Sequence, residues 1–282
     1  MKRLLIITIL FSPLFSWSQR LHVNLFGGFA NYMGDLQDKP LTFDQSNKAA
    51  GAGLQYNFTN HFSLRTGFMY GKVGAHDKFN RPSLQSRNLS FESKIVEGNL
   101  LLDYNIFDLS IKKFTPYLFT GIALYHFNPY TADSLGEKVF LRPLSTEGEG
   151  IAQYPDRKPY KLTQFSAPFG AGFKLRVSDN VILGYEIGMR KLFTDYLDDV
   201  STTYVDKAAL LAAKGQKAVE IAYRSDELKN VTSGYPVNST IRGGAKQKDW
   251  YYFQGITVSI GLNTGIGNAW HGSRTGCPVK VL

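Results

Sequence analysis

The sequence predicts an all-β protein: a transmembrane, antiparallel up-and-down β-barrel of about eight strands, with long outer loops and a short helix in one of them. Apolar residues alternate with small or polar ones in segments of about ten residues, which is typical of a barrel wall with two different faces. The clearest segment sets Ile256, Val258 and Ile260 against Thr257 and Ser259. The gaps between segments are alternately long and short, and no apolar run after residue 19 is long enough for a membrane-spanning helix.

The N-terminus resembles an export signal. Lys2 and Arg3 precede a largely apolar run over 4–15, and Ser16-Trp17-Ser18 supplies small residues where a signal peptidase cuts. This run is too short to cross about 30 Å of hydrocarbon as a helix. We therefore predict a signal peptide at 1–18, an outer-membrane barrel at 19–262, and a flexible, glycine-rich periplasmic tail at 263–282. Cys277 in that tail has no second cysteine with which to form an intramolecular disulfide.

Composition agrees with this class. Aromatic residues make up 14% of the chain and glycines number 27, which suits lipid-facing rings and crowded inward positions. The net charge of +9 would fit nucleic acid. Export and the lack of any Lys/Arg-rich run argue against it, and favour basic loops near lipid phosphates or plain solubility.

The first three strands are predicted from apolar residues at every second position, with glycine or polar residues between them. They are followed by a strand whose phase changes near Ser93-Lys94, which indicates a β-bulge or two separate strands. The fifth keeps Tyr117, Phe119 and Tyr125 in phase, and the last three alternate regularly. The predicted ranges are 20–29, 49–58, 62–71, 89–104, 117–127, 164–177, 181–193 and 250–262.

The connections give the topology. Connections over 30–48, 72–88, 128–163 and 194–249 are all longer than those over 59–61, 105–116 and 178–180. Bacterial barrels have short periplasmic turns and long outer loops, so this order favours eight strands with both chain ends in the periplasm. A soluble sandwich has no reason to alternate in this way.

The longest outer loop contains a predicted helix over 206–223. Asp206 suits the N-cap, and an apolar stripe is predicted at Ala208, Leu211, Ala218, Val219 and Ala222. Gly215 lies on the same stripe and weakens the pattern. Such a helix most often folds over the barrel mouth.

Charged residues on the predicted inward face indicate a plugged lumen. Eight strands leave an interior about wide enough for side chains to fill. Cross-lumen pairing is therefore expected rather than an open channel, among these residues: Arg65, Glu97, Asp103, Lys174, Glu186 and Arg190.

Motifs for catalysis or metal binding are weak, and we predict no catalytic, cofactor or metal residues and no enzyme. The five histidines are scattered, and neither H-E-x-x-H nor G-x-S-x-G occurs. Asp195, Asp198 and Asp199 offer oxygen ligands for Ca²⁺ without the spacing of a calcium loop, so a solvated turn is the alternative. Glu147 and Glu149 flank glycines that would otherwise suit a phosphate.

Several strings are more specific than generic barrel sequence. They are NYMGDL at 31–36, RNLSF at 87–91, FTPYLF at 114–119, YPDRKPY at 154–160 within 151–164, FTDYLDDVSTTY at 193–204 and KDWYYF at 248–253. In this order, over nearly all of the chain after residue 19, they resemble the PorG-like family of outer-membrane barrels.

That resemblance implies a non-enzymatic component of the type IX secretion system of Bacteroidota, associated with the periplasmic ring of the PorK lipoprotein and PorN. The partners expected are thus outer-membrane lipid and these ring proteins, with no nucleic acid and no cofactor. The alternative is a small-solute channel or ligand-binding barrel.

Overall fold

The computed structural model describes residues 21–37, 39, 42, 44–229 and 234–262. The predicted signal peptide at 1–18 and the predicted tail at 263–282 lie outside these residues, as does Cys277.

Ten β-strands form one sheet, and eight of them make the barrel wall. The wall strands are β1 (Leu21–Met33), β2 (Asn47–Asn57), β3 (Phe62–His76), β4 (Ser90–Asn105), β5 (Phe114–His126), β8 (Thr163–Arg176), β9 (Val181–Leu192) and β10 (Trp250–Gly261). A small hairpin, β6 (Tyr130–Ala132) and β7 (Lys138–Phe140), extends from the wall.

The wall is closed and antiparallel throughout. Each strand pairs with the next wall strand in the chain, and β10 returns to β1 through a continuous register from Met33↔Trp250 to His22↔Gly261. Closure leaves no open edge in the eight-stranded wall. The predicted up-and-down barrel of eight strands is confirmed.

The wall rises further than the sequence predicts on the side of the long connections, which is the side predicted to be the outer one. β1 runs to Met33 rather than to residue 29, and β3 runs to His76 rather than to 71. The hairpin β6–β7 was not predicted; it joins β4 through the pair Glu92↔Tyr130. The outer loops are therefore shorter than expected, and the wall strands extend beyond the apolar band on that side.

The predicted change of phase in β4 is wrong. Its pairing with β3 is unbroken from Phe62↔Tyr104 to His76↔Ser90, without a bulge. Phe91 and Ile95 point inward and are buried, in line with the inward Glu97. The hydrophobic pattern changed because the interior changes: it is polar in the inner half and apolar near the outer end.

This outer apolar core is built from rings on facing strands. Tyr125 and Phe127 on and just beyond β5 stack with ring centroids 5.5 Å apart, and Tyr125 lies 5.5 Å from Tyr251. Phe253 packs edge-on against Tyr251 at 5.6 Å. Loop residues cover even one outward position: Tyr252 is 1% exposed, and the Thr42 amide donates to its hydroxyl.

In the part of the chain that the structure describes, the helices lie in the long connections between wall strands. They are α1 (Pro82–Gln85), α2 (Lys207–Lys214) and α3 (Gln216–Ala222), with 3₁₀ turns at Asp77–Phe79, Arg142–Leu144 and Ser225–Glu227. Within the described residues, none has the length and apolar composition needed to cross a membrane.

The predicted helix over 206–223 is thus two helices. Asp206 caps α2 as predicted, accepting from the Ala209 amide at 2.9 Å. Gly215 has φ +85°, a left-handed value that ends α2 and starts α3. The predicted stripe is correct in α3 but wrong in α2, where Leu210 is buried and Leu211 is exposed because the break resets the facing side.

Candidate functional site

The outward face of the barrel carries a continuous apolar band. Large side chains that would be buried in a soluble protein are exposed, including Phe68 at 74%, Phe165 at 64% and Ile122 at 62%. Contiguous apolar surface of this extent requires an apolar neighbour. The exposed large side chains of β2, β8 and β9, among them Leu54, Phe169 and Leu183, lie on this face.

The inner half of the lumen is filled by an ion-pair cluster. Arg65 contacts Glu186 at 2.7 Å and Asp103 at 3.4 Å, and the Lys174 ammonium contacts Asp103 at 2.9 Å. All four side chains come from different strands and are almost fully buried. A cavity of about 30 Å³ lies beside Arg65 and Glu186, with room for a water molecule or two. A wider cavity of about 200 Å³, lined by Lys174 and Asn105, lies at the inner end of the cluster.

A second pair closes the lumen where the polar interior meets the apolar core. Arg190 donates from Nε and Nη2 to the two Glu97 oxygens at 3.0 and 3.1 Å. Tyr251 and Asn99 complete the shell of Glu97 at 2.7 and 2.9 Å, and the guanidinium lies 4.5 Å from the ring centre of Phe253. The predicted cross-lumen pairing is confirmed for all six charged residues, and the barrel is plugged.

Above the plug, the string at 193–204 folds inward and forms the centre of an outer cap. Asp198 and Asp249 both contact the Tyr32 hydroxyl, at 2.7 and 2.8 Å. Their other oxygens accept from the amides of Val200 and Leu197, both at 2.9 Å. One phenol has a single proton, so two ionised carboxylates cannot both be satisfied there. One of the two aspartates must be protonated and donate to the phenol oxygen.

Burial favours the protonated form of both aspartates. Desolvation, followed by repulsion from Asp249 and Asp35, raises the pKa of Asp198 well above its ordinary value. Desolvation and then Asp195 do the same to the pKa of Asp249. The raised pKa values of Asp198 and Asp249 favour a proton bound between two loops that lie far apart in the sequence.

Glu147 forms a second centre of the cap. It accepts from the amides of Ser201 and Thr202 at 2.9 and 2.8 Å and from Arg242 at 3.1 Å. Next to it, Asp199 accepts from the hydroxyls of Thr146 and Tyr160, each at 2.6 Å.

Two further strings join the cap through arginines. Arg87 donates to Asp77 and to the Asp35 carbonyl, at 2.7 and 3.0 Å. Arg157 donates to the carbonyls of Glu147 and Thr203, at 2.6 and 3.0 Å. The strings at 31–36, 87–91, 154–160, 193–204 and 248–253 thus meet in one buried polar network.

The cap holds more buried carboxyls than cations, and their acidity is weakened accordingly. Desolvation, then Asp199 and Glu147, raises the pKa of Glu149 to about 8. Burial raises the pKa of both Asp195 and Asp199 to about 6. One Glu149 oxygen and one Asp195 oxygen have no hydrogen-bond partner.

The predicted solvated turn at Asp195, Asp198 and Asp199 is wrong, because all three are buried. The calcium alternative gains no geometry either: in the part of the chain that the structure describes, no three acidic, histidine or cysteine side chains are grouped as metal ligands. Among the described histidines, His22 is buried at the inner end of the barrel and His61 lies in an inner turn, where its ring contacts the Asn105 carbonyl at 2.8 Å.

Sequence reasoning missed the cap. It named the strings but had no role for them, and it treated Glu147 only as an acid that would repel a phosphate from Gly148. Arg242 was not singled out, although it is the buried cation that contacts Glu147 and the Asp199 carbonyl. An arginine within a glycine-containing loop, distant from any strand, gave no signal for its partner.

The apolar exterior, the polar and plugged lumen, and the long capped loops on one side define the class of this protein: a closed eight-stranded β-barrel of the outer-membrane type. Residues 1–139 match a family model described as a domain of unknown function, DUF6089. No curated protein matches the chain.

Solved structures with likeness to this chain are also barrels. Neisserial surface protein A is 11% identical, with a TM-score of 0.41, over 86% of this chain and 96% of its own. Ail of Yersinia pestis, in complex with a heparin analogue, is 9% identical with a TM-score of 0.39, over 86% and 97%. The outer membrane protein OprG of Pseudomonas aeruginosa is 11% identical with a TM-score of 0.37, over 86% and 97%. The strand pairing of the chain itself, rather than these likenesses, establishes its fold.

Proposed function

We propose that this chain is a non-enzymatic outer-membrane barrel that acts as a structural component of the type IX secretion system, associated with the periplasmic ring of PorK and PorN. The sealed lumen carries the structural part of the proposal. Two layers of buried ion pairs and a packed aromatic core fill the space through which a solute would pass. The secretion role is supported by the resemblance of the strings at 31–36, 87–91 and 193–204 to PorG-like barrels.

A ring partner in the periplasm would meet the inner rim, which is braced. Asn60 in one turn donates to Asp108 in the next at 2.7 Å, linking neighbouring turns. Beside this link, Ile111 is 79% exposed and is followed by Lys112 and Lys113. An exposed aliphatic residue on a rigid rim is a suitable anchor for a protein contact.

A matched pair of variants tests the ring association. Ile111→Glu places a charge on the inner rim, and Leu135→Glu places the same charge on the outer hairpin, where Leu135 is 82% exposed. After crosslinking in intact envelopes and pull-down of the barrel, we expect PorK and PorN to be lost with Ile111→Glu and retained with Leu135→Glu. Deleting 263–282 asks the same question of the tail.

Recovery of neither ring protein with the unaltered barrel would refute the association. The channel alternative is tested separately in planar bilayers, where the sealed lumen should give no stable conductance steps. Regular single-channel steps from the unaltered barrel would favour a channel instead.

A further inference from the structure

We propose that three lysines on the outward face of β2, β3 and β4 form a binding site for the phosphate of a membrane lipid. This lysine row consists of Lys48, Lys72 and Lys94. The inference rests on the outer-membrane location in the proposed function, but not on the secretion role.

The lysine row is a neighbouring set on adjacent strands. Lys72 and Lys94 are directly paired in the β3–β4 register. Lys48 faces outward like its partner Phe29, and lies one residue beyond the β2–β3 pair Ala49↔Gly71. Neighbouring strands lie about 4.8 Å apart, so three flexible ammonium groups reach a common point above the wall.

Like charges directly opposite each other destabilise a sheet, so the row needs a counter-charge. Glu92 supplies one, at 2.9 Å from Lys72, but its other oxygen accepts from Tyr130 at 2.7 Å. Within the described residues, no ion pair is formed by Lys48 or Lys94. The row therefore keeps a net positive charge that no ion pair among the described residues neutralises.

The position of the row selects the ligand. All three lysines lie near the outer ends of their strands, and directly below them the outward face turns apolar at Tyr70 and Val96, which are half exposed and paired across the strands. This is the boundary at which lipid headgroups meet the hydrocarbon. On the opposite wall, β8 and β10 have no outward charged residue and β9 has only Lys191. A phosphorylated lipid fits this side of the barrel, because its phosphate would contact the lysine row while its acyl chains lie on the apolar band.

Two sources share this chemistry, a phosphorylated glycolipid such as lipid A and an anionic phospholipid. The refolded full chain in uncharged micelles is titrated with bisphosphorylated lipid A, lipid A stripped of phosphate, phosphatidylglycerol and inorganic phosphate. Bound lipid is read by native mass spectrometry. We expect the phosphorylated lipids to bind and the stripped lipid A to bind at least tenfold more weakly; the ratio of the two phosphorylated lipids identifies the source.

The key variant is Lys48→Gln/Lys72→Gln/Lys94→Gln. Its control, Lys112→Gln/Lys113→Gln/Lys191→Gln, removes the same charge from exposed positions elsewhere. A basic residue near an anionic lipid surface contributes about fivefold to binding, so the key variant should lose on the order of a hundredfold and the control little.

Glu92→Gln gives a result that misfolding cannot imitate. Freeing Lys72 from its carboxylate should tighten binding of the phosphorylated lipid severalfold. Equal losses in the key and control variants, equal binding of stripped lipid A, or no tightening with Glu92→Gln would each overturn the site. Loss of PorK and PorN association in envelopes would refute the secretion role without changing any of these titrations.

Discussion

The proton shared in the cap predicts an unusual pH response to two amide substitutions. In Asp198→Asn, the amide oxygen still accepts from the Val200 amide and the amide nitrogen donates to the Tyr32 oxygen, so that no bound proton is required. In Asp249→Asn, the amide nitrogen likewise donates to the Tyr32 oxygen, and the amide oxygen still accepts from the Leu197 amide.

The magnitude follows from proton linkage. Because their pKa values are raised in the folded state, the aspartate pair stabilises the cap fully at acidic pH and loses this contribution as the pH rises. One extra proton in the folded state costs about 1.4 kcal/mol of stability per pH unit above the ordinary range of the unfolded carboxyl. As the pH rises above that range, each asparagine variant should therefore gain stability relative to the unaltered protein, by up to about 1.4 kcal/mol per pH unit.

Hydrogen exchange of the Leu197 and Val200 amides measures this directly, since these amides donate to the two carboxyls. Opening free energies, corrected for the intrinsic effect of pH on exchange, should fall with pH in the unaltered protein and less steeply in either variant. Asp206→Asn, at the exposed cap of α2, serves as the control and should give a curve parallel to that of the unaltered protein. Parallel curves for Asp198→Asn and Asp249→Asn would show that the pair shares no proton.

Other predictions concern the lumen, the cap as a whole and the helix break. Arg190→Met leaves Glu97 buried without its cation and should cost about 3–5 kcal/mol in urea unfolding from lipid vesicles, whereas Arg190→Met/Glu97→Met should recover most of it; equal losses would argue against the ion pair as the cause. The pKa of Asp199 is raised to about 6 and that of Glu149 to about 8, so stability that is present below about pH 4 should be lost as the pH rises through 6 and 8. Protease cleavage of the cap, normalised to cleavage of the unfolded chain, should increase over that window, and a flat profile would contradict the raised pKa values. Gly215→Ala forces a side chain into the left-handed region and should destabilise the α2–α3 segment by about 1–2 kcal/mol in hydrogen exchange; unchanged protection would show that the break is not required.

The barrel wall was predictable because its signal is local. Alternation at Ile256, Thr257 and Val258 indicates the two faces of one strand, and the same kind of alternation occurs in most of the other wall strands. The same rule failed in β4, since Phe91 and Ile95 are apolar and inward while Leu100 is apolar and outward. Alternation shows that the faces differ, but it identifies the inside only where the inside is polar.

The cap was not predictable, because its contacts join residues distant in sequence. Tyr32 and Asp249 are separated by 217 positions, and Arg87 and Arg242 by 155. Neither periodicity nor spacing relates such residues. Acidic residues in a loop usually face water, and only the surrounding fold shows that Asp198 and Asp199 are enclosed by other loops.

The inner half of the interior is polar and the outer half is apolar because the two halves have different packing partners. In the inner half, charges on opposite walls can reach each other, so Arg65, Asp103 and Glu186 fill the lumen and fix the cross-section of the barrel. Near the outer end, the rings of Tyr125 and Tyr251 form an apolar layer against which the loops of the cap pack. A carboxyl-rich cap on that base is dehydrated, which raises its pKa values and makes protonation part of its structure. The outer side is thereby closed twice, by the aromatic rings at the end of the lumen and by the hydrogen-bonded loops above them.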